Sequence, residues 1–255
     1  MTLSELDAYF RSFLKMEDFE RDVSLNGIQI ENSDPEGKPV KKIAFAVDAC
    51  EQTALQAAKL GADVLFVHHG LFWGHCQRIT GSHYKRVSAF VKNDVALYAC
   101  HLPLDANNPY GNNYGLAKRM GLKNLKPFGS YHGMVIGVKG ELDEAVSAAE
   151  LARQALLEGQ EPFRVLPFGA EKIRTVGVIS GGAADDVEQA VEEGLDAYVT
   201  GELDHALYHY IEEAGINFIA GGHYQTETIG VNLIKEKVEN ELGLETVFID
   251  IPTGL

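Results

Sequence analysis

The sequence has little cysteine, no long hydrophobic run and no signal-peptide pattern at its start. Its three cysteines, Cys50, Cys76 and Cys100, are odd in number and widely spaced. That pattern argues against a disulfide framework or a cysteine zinc site. No apolar stretch approaches the ~18 residues of a membrane span. The stretch MTLSELDAYF has neither a basic nor an apolar leader region, so we expect a cytoplasmic protein.

Positive charge is also scarce. The chain has 22 Lys and Arg against 37 Asp and Glu, for a formal net charge of −15 at pH 7. Such a surface repels nucleic acid and anionic membranes unless basic residues are clustered, and no basic run is longer than Lys41-Lys42. We therefore expect neither as a partner. With 255 residues, the chain has room for one large domain or two smaller ones.

Strand and helix patterns alternate along the chain. Apolar runs predict strands at 43–47, 64–67, 95–100, 134–138, 175–179, 197–199, 216–220 and 246–251. Helical patterns lie at 3–14, 51–60, 145–158 and 185–193. Near-continuous apolar strands that alternate with helices are typical of an α/β fold with mostly parallel sheets.

The two halves of the chain resemble each other. A shift of 133 residues places IAFAVDACEQTALQAAKLGADVLFVHH over VGVISGGAADDVEQAVEEGLDAYVTGE without a gap, with Gly61 on Gly194 and Asp63 on Asp196. Each half then continues to a further strand that ends in His-x-x-x-carboxylate. We interpret the match as an internal pseudo-repeat; a chance match of common α/β sequence is the alternative.

Histidines and carboxylates follow three of the predicted strands. They are His68-His69 after 64–67, His101 with Asp105 after 95–100, and His223 with Glu227 after 216–220. In open α/β sheets, sites form beyond the carboxyl ends of strands. Imidazole and carboxylate are ligands for zinc, iron, manganese, cobalt or nickel.

The histidine pair suggests two ions. Adjacent strand residues point to opposite sides, so His68 and His69 suit two different ions, with Glu227 or Asp105 as a bridge. For each residue taken alone, the alternative to a metal ligand is a polar side chain at a strand end that hydrogen-bonds to a backbone carbonyl. The combination predicts an open metal site with nitrogen and oxygen ligands.

Two weaker features lie in the second half. Glu202 follows the strand at 197–199, in the repeat position of the histidine pair, and could act as a base or form a salt bridge. Gly181-Gly182 precedes a helical pattern and could cradle an anion. This segment lacks the full GxGxxG spacing of a phosphate-binding loop, so we favour a tight turn.

Six motifs in chain order resemble those of the Nif-three-like family. They are LNGIQIE, DVLFVHHGLFW, ACHLPLDANN, SGGAADD, YVTGELDH and GGHYQTETIGV, from Asn26 to about Val231. That family comprises dinuclear-metal proteins also called GTP cyclohydrolase 1 type 2 homologues. The chain is similar to its short form.

The resemblance implies a fold, an assembly and a ligand set. The fold is α/β, with two α/β domains of mostly parallel sheets at 1–126 plus 221–255 and at 127–220, the first closed by the C-terminal segment. The assembly is a toroidal homohexamer. The two divalent metal ions per chain are bound by residues matching family ligands, with Glu227 bridging and His101 nearby: His68, His69, Asp105, His223 and Glu227.

The resemblance also implies a function. It is a metal-dependent hydrolase that opens the purine ring of GTP or acts on another small molecule, with His101 or Glu202 moving protons. Phe72, Trp73 and Tyr224 could stack a base or pack in the core. A phosphoesterase with the basic cluster of Arg78, Lys85 and Arg86 is an alternative, and so is a non-enzymatic protein for metal storage, metal delivery or partner binding.

Overall fold

A computed structural model describes residues 1–255 and has the α/β architecture that the strand and helix pattern predicts. The α-helices are α1 (Leu3–Leu14), α2 (Glu51–Lys59), α3 (Gly81–Asn93), α4 (Leu102–Ala106), α5 (Asn112–Arg119), α6 (Ala148–Ala155), α7 (Val187–Glu192), α8 (Tyr208–Ala214) and α9 (His223–Leu242). The strands are β1 (Gly27–Ile30), β2 (Lys42–Asp48), β3 (Val64–His69), β4 (Ala96–Ala99), β5 (Lys123–Tyr131), β6 (Met134–Val146), β7 (Arg164–Pro167), β8 (Ile173–Val178), β9 (Ala197–Thr200), β10 (Asn217–Ala220) and β11 (Glu245–Phe248). Short 3₁₀ turns lie at Met16–Phe19, Ala184–Asp186 and His205–Leu207. None of the helices is both long and apolar enough to cross a membrane.

The chain packs into two compact units. The first contains Met1–Leu104 and Val231–Ile251, and the second contains Asp105–Gly230 and Pro252–Leu255. The predicted domains, 1–126 with 221–255 and 127–220, divide the chain at other residues. As a statement about independently folding domains they stay a prediction.

The first unit is built on a five-stranded sheet in the order β1-β4-β3-β2-β11. Strands β4, β3, β2 and β11 run parallel, and β1 lies antiparallel at one edge. At the other edge, β11 pairs with β2, with Thr246 beside Ile43. The C-terminal segment therefore closes the first sheet, as the resemblance implied.

Helix α1 packs on this sheet through its apolar face. A capping box between Thr2 and Glu5 starts the helix. Phe10 then contacts Phe66 of β3 and Tyr98 of β4, with ring centroids 5.0 and 4.8 Å away. All three rings are fully buried. This packing anchors β3, the strand that carries the histidine pair.

The second unit is built on a six-stranded sheet in the order β5-β6-β8-β9-β10-β7. Strands β8, β9 and β10 form a parallel centre. Strands β5, β6 and β7 flank it in antiparallel pairings. The α/β fold class is confirmed, and the antiparallel flanks are a feature that the sequence pattern did not predict.

The internal repeat is present in both the strand register and the hydrogen bonds. Ile43 pairs with Val64 in the first unit, and Val176 pairs with Ala197 in the second, so the 133-residue shift preserves the register. The aspartates that precede β3 and β9 also make equivalent hydrogen bonds. Asp63 Oδ2 accepts a backbone N–H near the start of β2 at 2.8 Å, and Asp196 Oδ2 accepts a backbone N–H near the start of β8 at 2.9 Å.

Candidate metal centre

Strand β3 ends in the histidine pair because four buried apolar residues carry the chain through the middle of the first sheet. His68 is fully buried, and its Nδ1 atom lies 2.9 Å from the backbone oxygen of Cys100. A carbonyl oxygen only accepts, so Nδ1 carries the hydrogen and Nε2 is the acceptor nitrogen of the ring. That tautomer presents Nε2 as a metal ligand.

His69 is held in the same way by a carboxylate. Its Nδ1 atom lies 2.8 Å from Oδ1 of Asp48, the last residue of β2 and the register partner of His69 across the two strands. Histidines that bind metals in proteins usually donate their other ring N–H to a carboxylate or a carbonyl, which sets the tautomer and the ring orientation. Sequence reasoning missed Asp48, although it also ends a predicted strand.

His101 is fixed through both its backbone and its ring. Its Nδ1 atom lies 2.9 Å from Asp22 Oδ1, and its backbone N–H donates to Asn26 Oδ1 at 2.7 Å. Burial raises the pKa of Asp22, but hydrogen bonds and charge interactions, chiefly with His101, outweigh it and hold that pKa below its usual value. No motif in the sequence pointed to Asp22, which lies in a loop.

The three histidines of the first unit converge. The ring centroids of His68 and His69 are 4.6 Å apart, and His101 lies 5.1 and 5.7 Å from them. One ring nitrogen from each lies within 4.8 Å of the others. His68 is anchored on the chain after β4 and His69 on β2, so the two rings are held from opposite sides. The three ring nitrogens could therefore hold a metal ion.

In the second unit, His223 and Glu227 lie on the first turns of α9. The prediction that they follow a strand holds for the chain order, since β10 ends at Ala220, but the pair itself is helical. Residues four apart lie on the same face of a helix, and His223 Nε2 is 3.1 Å from Glu227 Oε1. The His-x-x-x-carboxylate spacing is here a helical spacing. Glu227 is 3% exposed.

Glu202 follows β9 and holds His223 from the other side. Its Oε1 atom lies 2.6 Å from His223 Nδ1. Burial lowers the pKa of His223, but the hydrogen bonds and charges of Glu227 and Glu202 outweigh it and raise that pKa to about 9. Glu202 thus forms the predicted salt bridge and also orients the ring. A role in moving protons stays a prediction.

Asp105 lies in α4 and is 6% exposed. Its Oδ1 atom accepts hydrogen bonds from Asn112 Nδ2 at 2.8 Å and from Ser180 Oγ at 2.9 Å. A carboxylate oxygen of Asp105 lies within 4.8 Å of one of Glu227. Two buried carboxylates at this separation repel each other unless a proton or a cation is shared between them. The arrangement therefore fits a bound cation.

Gly181 makes room for Glu227. It has a φ of +67°, and a side chain at this position would clash with Glu227 Oε1. Its carbonyl accepts the backbone N–H groups of Gly201 and Glu202 at 2.9 and 3.1 Å. The Gly181-Gly182 segment is thus a turn that makes room for the carboxylate of Glu227.

The donors of each unit fit a divalent metal. The three histidines of the first unit and His223 of the second have an oxygen acceptor 2.6–2.9 Å from Nδ1. The second unit also has the buried carboxylates of Asp105 and Glu227. No cysteine contributes, which favours a metal with a preference for nitrogen and oxygen ligands.

Metal binding should be linked to proton release. His223 is a cation below about pH 9, so a metal ion has to displace its Nε2 proton. We expect the affinity for Co²⁺ to rise between pH 6 and pH 8, by up to about tenfold per pH unit. Calorimetry in buffers of different ionisation enthalpy would count the released protons. A pH-independent affinity with no proton release would contradict the assignment of His223.

Comparisons with known proteins give matches over the full length. A Treponema pallidum protein named GTP cyclohydrolase 1 type 2 homolog is 45% identical over 289 aligned positions, covering 100% of both chains. An Archaeoglobus fulgidus protein of the same name is 40% identical over 255 positions, again covering 100% of both.

Solved structures match in the same way. TTHA1606 from Thermus thermophilus has a TM-score of 0.89 at 37% identity, with 100% of both chains covered. Reduced HcgD from Methanocaldococcus jannaschii has a TM-score of 0.85 at 27% identity, with 98% of both covered. A family model described as Duf34/NIF3 (NGG1p interacting factor 3) matches residues 1–254, and the chain belongs to this family.

Proposed function

We propose that the protein is a hydrolase that depends on two divalent metal ions and acts on a small molecule, with GTP cyclohydrolase-like ring opening as its reaction. The ions would be zinc, iron, manganese, cobalt or nickel. The residues that would hold them, with Glu227 as the bridge, are His68, His69, Asp105, His223 and Glu227. The observation that carries the proposal is the oxygen acceptor on Nδ1 of every histidine concerned. The names of the relatives support the reaction class.

The bound ions would supply a water of lowered pKa, near ~7, and would polarise the substrate. The protein's own groups would handle the protons. Asp22 holds the Nδ1–H of His101 at 2.9 Å, so that proton transfer takes place at Nε2, and the carboxylate stabilises the imidazolium that forms. Glu202 is half-exposed and is the second candidate for a proton acceptor.

Trp73 is the aromatic residue best placed to contact a substrate. Its ring lies 5.1 Å from that of His101 and 6.0 Å from that of His69, and its indole N–H donates to the Gly70 carbonyl at 3.1 Å. Tyr224, by contrast, is 5% exposed and packs in the core. We assign the substrate-stacking role to Trp73 and not to Tyr224.

A recess beside Glu202 supports a small-molecule substrate. It has a volume of about 230 Å³ and is lined by Phe163, Gly201, Glu202, Leu203 and Leu255. Its walls are mostly apolar, with one carboxylate. This chemistry suits an organic ring with N–H donors better than a free phosphate.

Metal storage or delivery is the second candidate. The same ligands would serve it, and Glu202 and Glu227, 2.6 and 3.1 Å from the two ring nitrogens of His223, would stabilise that ring as a cation once an ion leaves. An enzyme would retain its ions through turnover, whereas a delivery protein would exchange them.

Metal content and turnover should disappear together. We expect two metal ions per chain and formate release from GTP, and we expect Glu227→Gln to lose at least one ion and the activity. Glu236→Gln is the matched control, since Glu236 is an exposed glutamate on the same helix. Elemental analysis and a formate assay on the same samples would check this. A Glu227→Gln variant with two ions and normal turnover would contradict the bridge. Two ions without turnover of GTP or of a phosphoester panel would favour metal handling.

We also propose the toroidal homohexamer that the resemblance implies. Large apolar side chains such as Val91 and Val23 are 62% and 56% exposed, and they are candidates for burial between copies. Light scattering on the eluted protein should give six times the chain mass of 27.9 kDa. A monomeric mass at micromolar concentration would refute the assembly.

A further inference from the structure

Behind Asp105 lies a buried network of two asparagines. Asn112 and Asn113 are both 0% exposed. Asn112 donates from Nδ2 to Asp105 Oδ1 at 2.8 Å and accepts the backbone N–H of Gly230 at Oδ1, at 2.7 Å. One side chain thus joins a proposed metal ligand to helix α9. Gly230 lies three residues after Glu227 on that helix.

A carboxamide can make both bonds from its two ends. One end of its side chain donates and the other accepts, whereas a carboxylate only accepts and an apolar side chain does neither. Asn112 is therefore matched to one acceptor, Asp105, and one donor, Gly230. Because Asp105 and Gly230 are both buried, loss of either hydrogen bond would leave a buried polar group without one of its hydrogen-bond partners.

Gly230 allows the close approach. A Cβ atom at this position would lie 2.5 Å from Asn112 Oδ1 and 3.0 Å from the Asn112 backbone nitrogen. A side chain here would push α9 away from Asn112. The contact therefore sets how near the helix that carries Glu227 comes to the segment that carries Asp105.

The segment after β8 contacts both carboxylates. Ser180 Oγ donates to Asp105 Oδ1 at 2.9 Å, and the missing side chain of Gly181 makes room for Glu227 Oε1. Asp105 and Glu227 are thus held by two supports, Asn112 and the Ser180-Gly181 segment. A carboxylate oxygen of each lies within 4.8 Å of the other.

We propose that Asn112 is a positioning residue that sets the separation of Asp105 and Glu227, and so decides whether the protein retains two metal ions or one. This inference rests on the proposed metal site. Asn112 does not touch an ion in this account; it acts through Asp105 and α9. Support groups of this kind typically change metal affinity by about 10- to 100-fold when they are removed.

The test compares Asn112→Leu with Asn217→Leu. Asn217 is a matched control because it is also buried and uses both ends of its carboxamide: it accepts the Gly169 N–H and donates to the Ala170 and Asp196 carbonyls. It contacts neither carboxylate nor Ser180. Metal-free full-length proteins are titrated with Zn²⁺, and the Co²⁺ absorption spectrum reports the ligand geometry. We expect two ions for the wild type and for Asn217→Leu. For Asn112→Leu we expect one ion at normal affinity, a second bound at least about tenfold more weakly, and an altered Co²⁺ spectrum.

A milder variant covers the case in which Asn112→Leu does not fold. Asn112→Ala removes both bonds without placing a larger apolar side chain in the site. It should weaken the second ion in the same direction, with an unchanged circular dichroism spectrum. If folded Asn112→Leu, or Asn112→Ala in its place, binds two ions with wild-type affinity, the positioning role is wrong and the metal site stands. If the wild type itself fails to bind two ions, both proposals fall.

Discussion

The candidate metal centre depends on one repeated interaction, a hydrogen bond from histidine Nδ1 to an oxygen that can only accept. Cys100, Asp48, Asp22 and Glu202 supply these oxygens to His68, His69, His101 and His223. Each bond determines which nitrogen is presented and in which direction the ring points. Three of the four acceptors are carboxylates, and the fourth is a backbone carbonyl. The repetition of this bond at His68, His69 and His223 is what supports the proposal that these side chains bind metal.

The fold explains why the oxygens lie where they do. Asp48 reaches His69 because the two residues are opposite each other in adjacent parallel strands. The Cys100 carbonyl reaches His68 because β4 is the other neighbour of β3. In the second unit, β9 places Glu202 after its last residue and β10 leads into α9, which begins at His223. The same strand–helix–strand arrangement, with the same strand register, thus occurs in both units. In each unit it places an oxygen that accepts a hydrogen bond from a histidine, although the second repeat has a glutamate where the first has a histidine.

Much of the fold and of the candidate site could be predicted from the sequence, and the features that were missed have physical causes. The histidine pair was predictable because it follows a continuous apolar run, and the repeat because its glycine and aspartate spacing survives. Asp48 could have been found by the same strand-end rule. Asp22 could not, since a loop brings it to His101 from 79 residues away. The helical position of His223 and Glu227 was missed because Gly221-Gly222 separates them from β10 without a capping motif. Strand β5 was missed because Pro127 and Gly129 interrupt its pattern and most of it is exposed.

His68, His69 and His223 are proposed to bind metal through Nε2, with Glu227 shared by two ions. Anomalous diffraction from crystals of the Zn²⁺-loaded protein would locate the ions. We expect two peaks per chain, both bonded to Glu227, each with at least one histidine Nε2 atom at ~2.0–2.1 Å. A single peak, ligation through Nδ1, or peaks at other residues would contradict the proposal.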